Sequence, residues 1–473
     1  MTTTLTMGSQ LVARYCPPFF VVHHADHVWK VLVTRRIPCL LLGLFVWSHT
    51  VVMAAPDMKW VTSWIGSVQG PYPVGNPSAQ PLLSGVFPQP AQGARDQSFR
   101  LMVRPDLWGP QTRIRLSNAL GTQPVTFADV YVGVQQGSSE VLKGTHQAVS
   151  FGGQRRVSVP AGQSVWSDPV LLPFVRPDTL PWLDGRRLAV SFHVPETSGP
   201  MTWHAKALTT SYVTAPGSGS HSQREEETAF SYPTTSWYFL DAVDMMAPAD
   251  TRVVVGFGDS ITDGTASTLN GDDRWPDVLS RRLHRAYGQK VVVLNAGIGG
   301  NQVVGPALYS PNQPYSGGPS ALMRLERDIL SLSGVSTVIW LEGVNDFSKN
   351  GNASAEAVME GLRTGVSRLR ERIPGVQVLG ATVVSALRST SEAHGFDVQN
   401  DKRKALNQFI RSSGVFDGVV EFDPAILDPV TGEMKTQFVH DTTVGGPGDK
   451  LHPNRLGYQP MGLSIDLPML TGR

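Results

Sequence analysis

The stretch VVVGFGDSITDG, residues 253–264, decides how the second half of this 473-residue chain is read. Its first five residues are apolar without alternation, as in a strand buried on both faces. Gly258-Asp259-Ser260 then turns the chain, and Asp and Ser are residues that start helices. Three more runs of the same texture follow: 291–296 (VVVLNA), 337–342 (TVIWLE) and 376–382 (VQVLGAT). Helix-length patterns occupy 275–287, 321–330, 353–372 and 399–413. Apolar strands alternating with helices predict an α/β arrangement, a parallel sheet covered on both faces. Such sheets carry their reactive groups in loops at the carboxyl ends of the strands.

Those loops hold the candidate chemistry. A serine in a glycine-flanked strand-to-helix turn exposes its hydroxyl and points its own N–H into the same space, which suits a nucleophile. Other motifs fail at specific positions. A dinucleotide fingerprint needs glycine where Ile261 stands, a phosphate loop needs a Gly-Lys-Ser/Thr ending, and the α/β-hydrolase elbow needs glycine where Thr262 stands. A plain Asp-Ser helix cap also fits the turn taken alone. The other loops tip the balance. Asn295-Ala296-Gly297-Ile298-Gly299-Gly300-Asn301 offers a backbone amide that a substrate oxygen can approach closely, and Gly343-Val344-Asn345-Asp346 offers a side-chain amide for the same oxygen. Near the C-terminus, Asp449-Lys450-Leu451-His452 spaces a carboxylate to fix an imidazole tautomer and turn its other nitrogen toward the serine. His440-Asp441 is a competing pair, but adjacent side chains in an extended loop diverge. His284 and His394 read as surface histidines, and Asp259 and Asp263 as braces of the serine turn.

Four blocks in this order, Gly258-Asp259-Ser260-Ile261, Gly300, Gly343-Val344-Asn345-Asp346 and Asp449-Lys450-Leu451-His452, resemble the SGNH (GDSL) hydrolase family, with Ile261 in place of the usual leucine. The likeness runs from about residue 252 to the C-terminus. GIGGN (297–301) and LEGVND (341–346) also resemble its bacterial arylesterase and acylhydrolase branch, whose members often carry an N-terminal β-rich region with a stretch like RIRLSNALGTQPVTFADV, here 113–130. The resemblance implies a three-layer parallel-sheet SGNH domain that cleaves carboxylic esters through Ser260, His452 and Asp449. It implies an oxyanion hole of the Ser260 N–H, the Gly300 N–H and the Asn345 amide, with no metal or cofactor. Lipase or lysophospholipase activity, acyl transfer to a sugar, and a carbohydrate-binding protein with an inactive hydrolase domain are the alternatives. The presence of every triad residue gives nothing in favour of inactivity.

Upstream, 98–104, 112–118, 125–134, 155–166 and 186–194 alternate apolar with polar residues between turn signals, as strands of an antiparallel β-sandwich do. In 112–118 the arginines and Ile114 and Leu116 alternate, predicting a half-buried strand. The polar segment 215–228 is expected to be a loop. Earlier still, Arg35-Arg36 precedes an apolar run that ends at Val52-Met53-Ala54, the layout of a secretory signal peptide. Ser48, His49 and Thr50 break the run before membrane-spanning length. The residues before Arg35 suit a start codon placed too early. The expected divisions are a leader at 1–54, a β-sandwich at 55–247 and the hydrolase domain at 248–473. Removing the leader takes Cys16 and Cys39 with it, so neither disulfides nor a cysteine nucleophile remain. Forty Lys and Arg against 39 Asp and Glu argue against nucleic-acid binding. The expected setting is a secreted or periplasmic bacterial enzyme. Seven of the nine tryptophans beyond residue 54 (Trp60, Trp64, Trp108, Trp166, Trp182, Trp203 and Trp237) lie in the first half, either as core or as stacking faces for sugars. The expected partner is a small-molecule or polysaccharide ester, acetylated carbohydrate before lipid.

Overall fold

Two large antiparallel sheets and a small three-stranded one build the first half of the protein. The computed structural model describes residues 57–471, so the expected leader, its cleavage box and both cysteines lie outside the described residues. In one large sheet, strand β6 (Leu240–Pro248) lies between β1 (Met58–Ile65) and β3 (Gln111–Ser117). In the other, β5 (Leu188–Thr197) lies between β2 (Arg95–Val103) and β4 (Val125–Gly137). Phe99, Phe127, Phe192 and Phe239 meet in stacked and edge-on pairs in the core of this region. Trp64, Trp108, Trp203 and Trp237 are also buried, so these four are core residues and present no face to a sugar.

Strand β3 departs from its expected half-buried character. Arg113 and Arg115 do alternate with Ile114 and Leu116, yet Arg115 is only 3 % exposed. Its Nε pairs with Asp241 at 2.6 Å, and Arg113 pairs with Asp244 at 2.8 Å, both acids on the neighbouring β6. The α/β half covers this arginine face, with Ser331 and Ser333 accepting from the same guanidinium groups. The segment 215–228 forms turns, and the carbonyls of Arg224, Glu225 and Glu226 close around the buried Arg100 guanidinium.

The second half is a five-stranded, all-parallel sheet in the order β8-β7-β9-β10-β11: β7 (Arg252–Gly258), β8 (Val291–Gly297), β9 (Val335–Leu341), β10 (Gln377–Ala381) and β11 (Gly418–Val420). Strand β11 was not expected, because three residues are too short for a periodic signal. Its helices include α1 (Ser260–Asp263), α2 (Trp275–Tyr287), α3 (Ala321–Leu325, continuing as a π-turn over Glu326–Leu330), α4 (Ala355–Arg372), α5 (Asp397–Ser412) and α6 (Arg455–Ser464), with short helical turns at Asp423–Ile426 and Leu467–Thr471. In α4 the buried Ala355, Val358, Leu362, Val366 and Leu369 recur every three or four positions, and the Ser354 hydroxyl caps the start by accepting from the Ala357 N–H. Gly365 lets α4 settle on Trp340, whose ring would stand 2.3 Å from a Cβ there.

The chain leaves β7 for β8 on one side and returns to β9 on the other. With right-handed crossovers, helices diverge to opposite faces at this point, and a crevice opens beyond the carboxyl end of β7. The two halves pack as one compact unit and share one apolar core. Polar contacts also cross the seam: Asp106, from the β-rich half, accepts the Val293 N–H of β8 at 2.6 Å and lies 3.3 Å from His284. His284 is therefore half-buried in an ion pair and is not the surface residue expected.

Candidate active site

Ser260 sits just beyond the carboxyl end of β7, as the first residue after the cap of α1. Gly258 must be glycine there, because a Cβ would lie 2.2 Å from the Leu341 carbonyl oxygen of the adjacent β9. The Asp259 carboxylate caps α1 by accepting the Ile261 N–H at 2.9 Å. Burial pushes this carboxyl up to about 7. Asp263 accepts the Gly299 N–H at 2.9 Å and faces His204 at 3.2 Å, bracing the serine turn against the next loop.

Ser260 Oγ lies 2.8 Å from His452 Nε2, and His452 Nδ1 lies 2.6 Å from Asp449 Oδ2. The spacing in Asp449-Lys450-Leu451-His452 has a local explanation. The other Asp449 oxygen accepts the N–H groups of Leu451 and His452, each at 2.9 Å, folding the carboxylate back over its own turn. Lys450 adopts φ +59° to complete it. Burial would raise the Asp449 carboxyl, but the charge and N–H of His452 and the two backbone donors outweigh it and hold the group well below the usual carboxylate range. A carboxylate that only accepts keeps the proton on Nδ1, leaving Nε2 to receive the serine proton.

Three potential donors belong to residues that line the same cleft as the serine hydroxyl. The Ser260 and Gly300 N–H groups have no hydrogen-bond acceptor among the described residues. Asn345 Nδ2 spends one hydrogen on the Asn301 carbonyl at 3.0 Å and keeps the other. Ser260, Gly300, Asn345, Asp449 and His452 all line one cleft of about 290 Å³. The rival pair is elsewhere: His440 is exposed, and Asp441 accepts the Thr443 and Val444 N–H groups.

Other residues join this site without a motif to announce them. His394 lines the cleft and donates from Nε2 to Asn345 Oδ1 at 3.3 Å, with Ser391 against its Nδ1 at 3.2 Å. The expectation of a surface histidine is corrected, because the loop after β10 folds over the cleft. Burial first, and then the charge of His452, pull His394 down to about 4. Arg324, 1 % exposed, ties the site together from below. It donates to the carbonyls of Gly258 and Ala296 and to Asn301 Oδ1, and pairs with Asp328 at 2.9 Å. In sequence it is one more arginine in a helix. Asn76 and Lys206 reach the cleft from the β-rich half. Among the described residues no group of three or more His, Cys, Asp or Glu side chains could hold a metal ion, and no helix is long and apolar enough to cross a membrane.

A serine hydroxyl, an imidazole and a carboxylate in hydrogen-bonded series beside unspent N–H donors are the arrangement that serine-hydrolase chemistry requires. Residues 257–459 match the GDSL-like lipase/acylhydrolase family. The chain carries a hydrolase domain of that family and is an ester hydrolase. No curated protein matches the sequence. Among solved structures, the chain is similar to a lipase/acylhydrolase from Enterococcus faecalis at 22 % identity, over 46 % of this chain and 93 % of that one, with a TM-score of 0.34. It is also similar to the carbohydrate acetylesterase Est24 from Sinorhizobium meliloti (16 % identity, 45 % and 95 % covered, TM-score 0.34). A third is an aryl esterase from M. smegmatis in an inhibitor-bound form (16 % identity, 46 % and 100 % covered, TM-score 0.35).

Proposed function

We propose that this protein removes short acyl groups, acetyl above all, from hydroxylated alcohols such as sugars, through an acyl-enzyme on Ser260. The hydrogen-bonded series from Ser260 through His452 to Asp449 carries the reading of mechanism. Ser260 Oγ attacks the ester carbonyl carbon while His452 Nε2 takes its proton. The carbonyl oxygen becomes an oxyanion held by the N–H groups of Ser260 and Gly300 and by the Asn345 amide. The C–O bond to the alcohol then breaks, and Nε2 returns the proton to the departing oxygen. Water attacks the acyl-enzyme by the same route, with Asp449 supporting the imidazolium in both halves.

The cleft lining supports the substrate class. Asn76, Tyr315, Ser316, Ser348, Asn350 and Ser391 surround the catalytic groups, and a wall of amides and hydroxyls suits a polyhydroxy alcohol better than an alkyl chain. We read the β-rich half as a sandwich and the protein as an exported bacterial enzyme, with the leader at 1–54 supporting export. The test is hydrolysis of p-nitrophenyl esters from acetate to octanoate, beside acetylated xylan and a lysophospholipid. Acetate and acetylated xylan should be preferred and Ser260→Ala inactive. Full turnover by Ser260→Ala overturns the mechanism, and preference for octanoate or the lysophospholipid overturns the substrate class.

A further inference from the structure

The second oxyanion donor is aligned by a residue from outside the parallel sheet. In a trans peptide the carbonyl of one residue and the N–H of the next point in opposite directions. Whatever grips the Gly299 carbonyl therefore also aims the Gly300 N–H. Asn76 grips it: its Nδ2 donates to the Gly299 oxygen at 2.7 Å, with a second, longer contact to the Ser316 carbonyl at 3.3 Å. The Gly300 N–H, on the opposite side of that peptide, is the one without an acceptor among the described residues. Gly300 holds φ +84°, and a Cβ there would come 2.8 Å from Asn76 Nδ2. The glycine thus serves a second purpose, letting the asparagine close on its peptide.

Asn76 is itself held firmly. Its loop follows Tyr72, which packs edge-on against Phe87 and Trp203 in the β-rich core. Trp203 Nε1 donates to the Val74 carbonyl at 2.9 Å. Gln69 Nε2 reaches the Ser316 carbonyl at 2.8 Å, fastening the same loop to the far wall of the cleft. Lys206, also from the β-rich half, lies on this side, its ammonium against the Thr265 hydroxyl and 3.2 Å from where a Gly299 Cβ would project.

We infer that Asn76 is a positioning residue for the Gly300 oxyanion donor, and that the β-rich half is a built-in wall of the catalytic cleft and not a detachable sugar-binding module. The inference rests on the proposed roles of Ser260 and Gly300. Losing an oxyanion donor outright costs roughly 10²- to 10³-fold in kcat, so loosening one should cost about 10- to 100-fold.

The test uses the full chain with Asn76→Ala and the near-isosteric Asn76→Asp, which lacks the donor and sets an oxygen against the Gly299 carbonyl. For p-nitrophenyl acetate, kcat should fall by about 10- to 100-fold with KM within about twofold of the parent. Affinity for a tetrahedral trifluoromethyl ketone adduct should weaken by the same factor as kcat/KM, while a ground-state product inhibitor binds unchanged. Asn76→Asp retains the side-chain size and serves if Asn76→Ala misfolds. A kcat within threefold of the parent, or equal weakening of adduct and product inhibitor, overturns the inference. If Ser260→Ala is inactive while the Asn76 variants keep full kcat, only this inference falls; if Ser260→Ala stays active, the underlying mechanism falls first.

Discussion

Replacing Asp449 by asparagine isolates what the third member of the series contributes. The change preserves size, and Oδ1 can still accept the Leu451 and His452 N–H groups, so the turn stays folded. The difference is confined to the second position, where an N–H replaces the oxygen 2.6 Å from His452 Nδ1. Two donors cannot face each other, so the imidazole moves its proton to Nε2 and can no longer accept from Ser260. The transition state also loses a counter-charge. At 2.6 Å and an effective dielectric of about 20, the attraction between carboxylate and imidazolium is about 6 kcal/mol. The Asp449 side chain is 37 % exposed, and solvent screening at that edge reduces the figure to about 4 kcal/mol. At 1.36 kcal/mol per decade this is about 10³-fold in kcat. KM should barely move, because both Asp449 side-chain oxygens are spent on His452 and the N–H groups of their own turn. The assay is steady-state hydrolysis of p-nitrophenyl acetate with the melting temperature followed in parallel. A fall in kcat of less than tenfold at unchanged melting temperature would refute the reasoning.

Three other perturbations follow from buried charges. Glu342 is 2 % exposed, has no partner for Oε1 among the described residues, and is pushed up to about 8 by burial. Its folded pKa lies above the unfolded value, so it lowers stability as pH rises from about 4.5 through 8. Glu342→Gln should melt higher than the parent at pH 9 and nearly the same at pH 4.5, and an equal decline of both proteins across that range would contradict this. His394 has the opposite dependence: its native form resists protonation down to about 4, so stability falls as pH drops from about 6.5 toward 4, by up to about 3 kcal/mol. Urea titrations at pH 7 and 4.5 should find that loss reduced in His394→Gln. Arg324→Leu strands the Gly258 and Ala296 carbonyls and should cost about 3 kcal/mol or more in urea unfolding, whereas a cost below 1 kcal/mol would show that the guanidinium is not what ties the strand ends.

The parallel sheet was legible in the sequence because its strands are buried on both faces, and an unbroken apolar run such as 253–257 has few other uses in a globular protein. The candidate triad and oxyanion groups were legible because each lies in a short local motif whose residue types already carry the chemistry. Strand β11 was missed because three residues leave no period to detect, and Arg113 and Arg115 misled because alternation reveals two faces without revealing what covers each.

By itself, the sequence determined an α/β half with a serine turn, an asparagine loop and an Asp-Lys-Leu-His turn in an order that resembles one hydrolase family. Only the tertiary structure decided that the serine turn meets the Asp-Lys-Leu-His turn across 2.8 Å, and that His394 backs the Asn345 amide. It also decided that Asn76, 224 positions before Gly300, grips the Gly299 carbonyl of the peptide that carries the Gly300 N–H. The reason is physical: a motif records chemistry that a few neighbouring residues complete among themselves, whereas aligning a backbone donor needs a partner from wherever the packed chain brings one close.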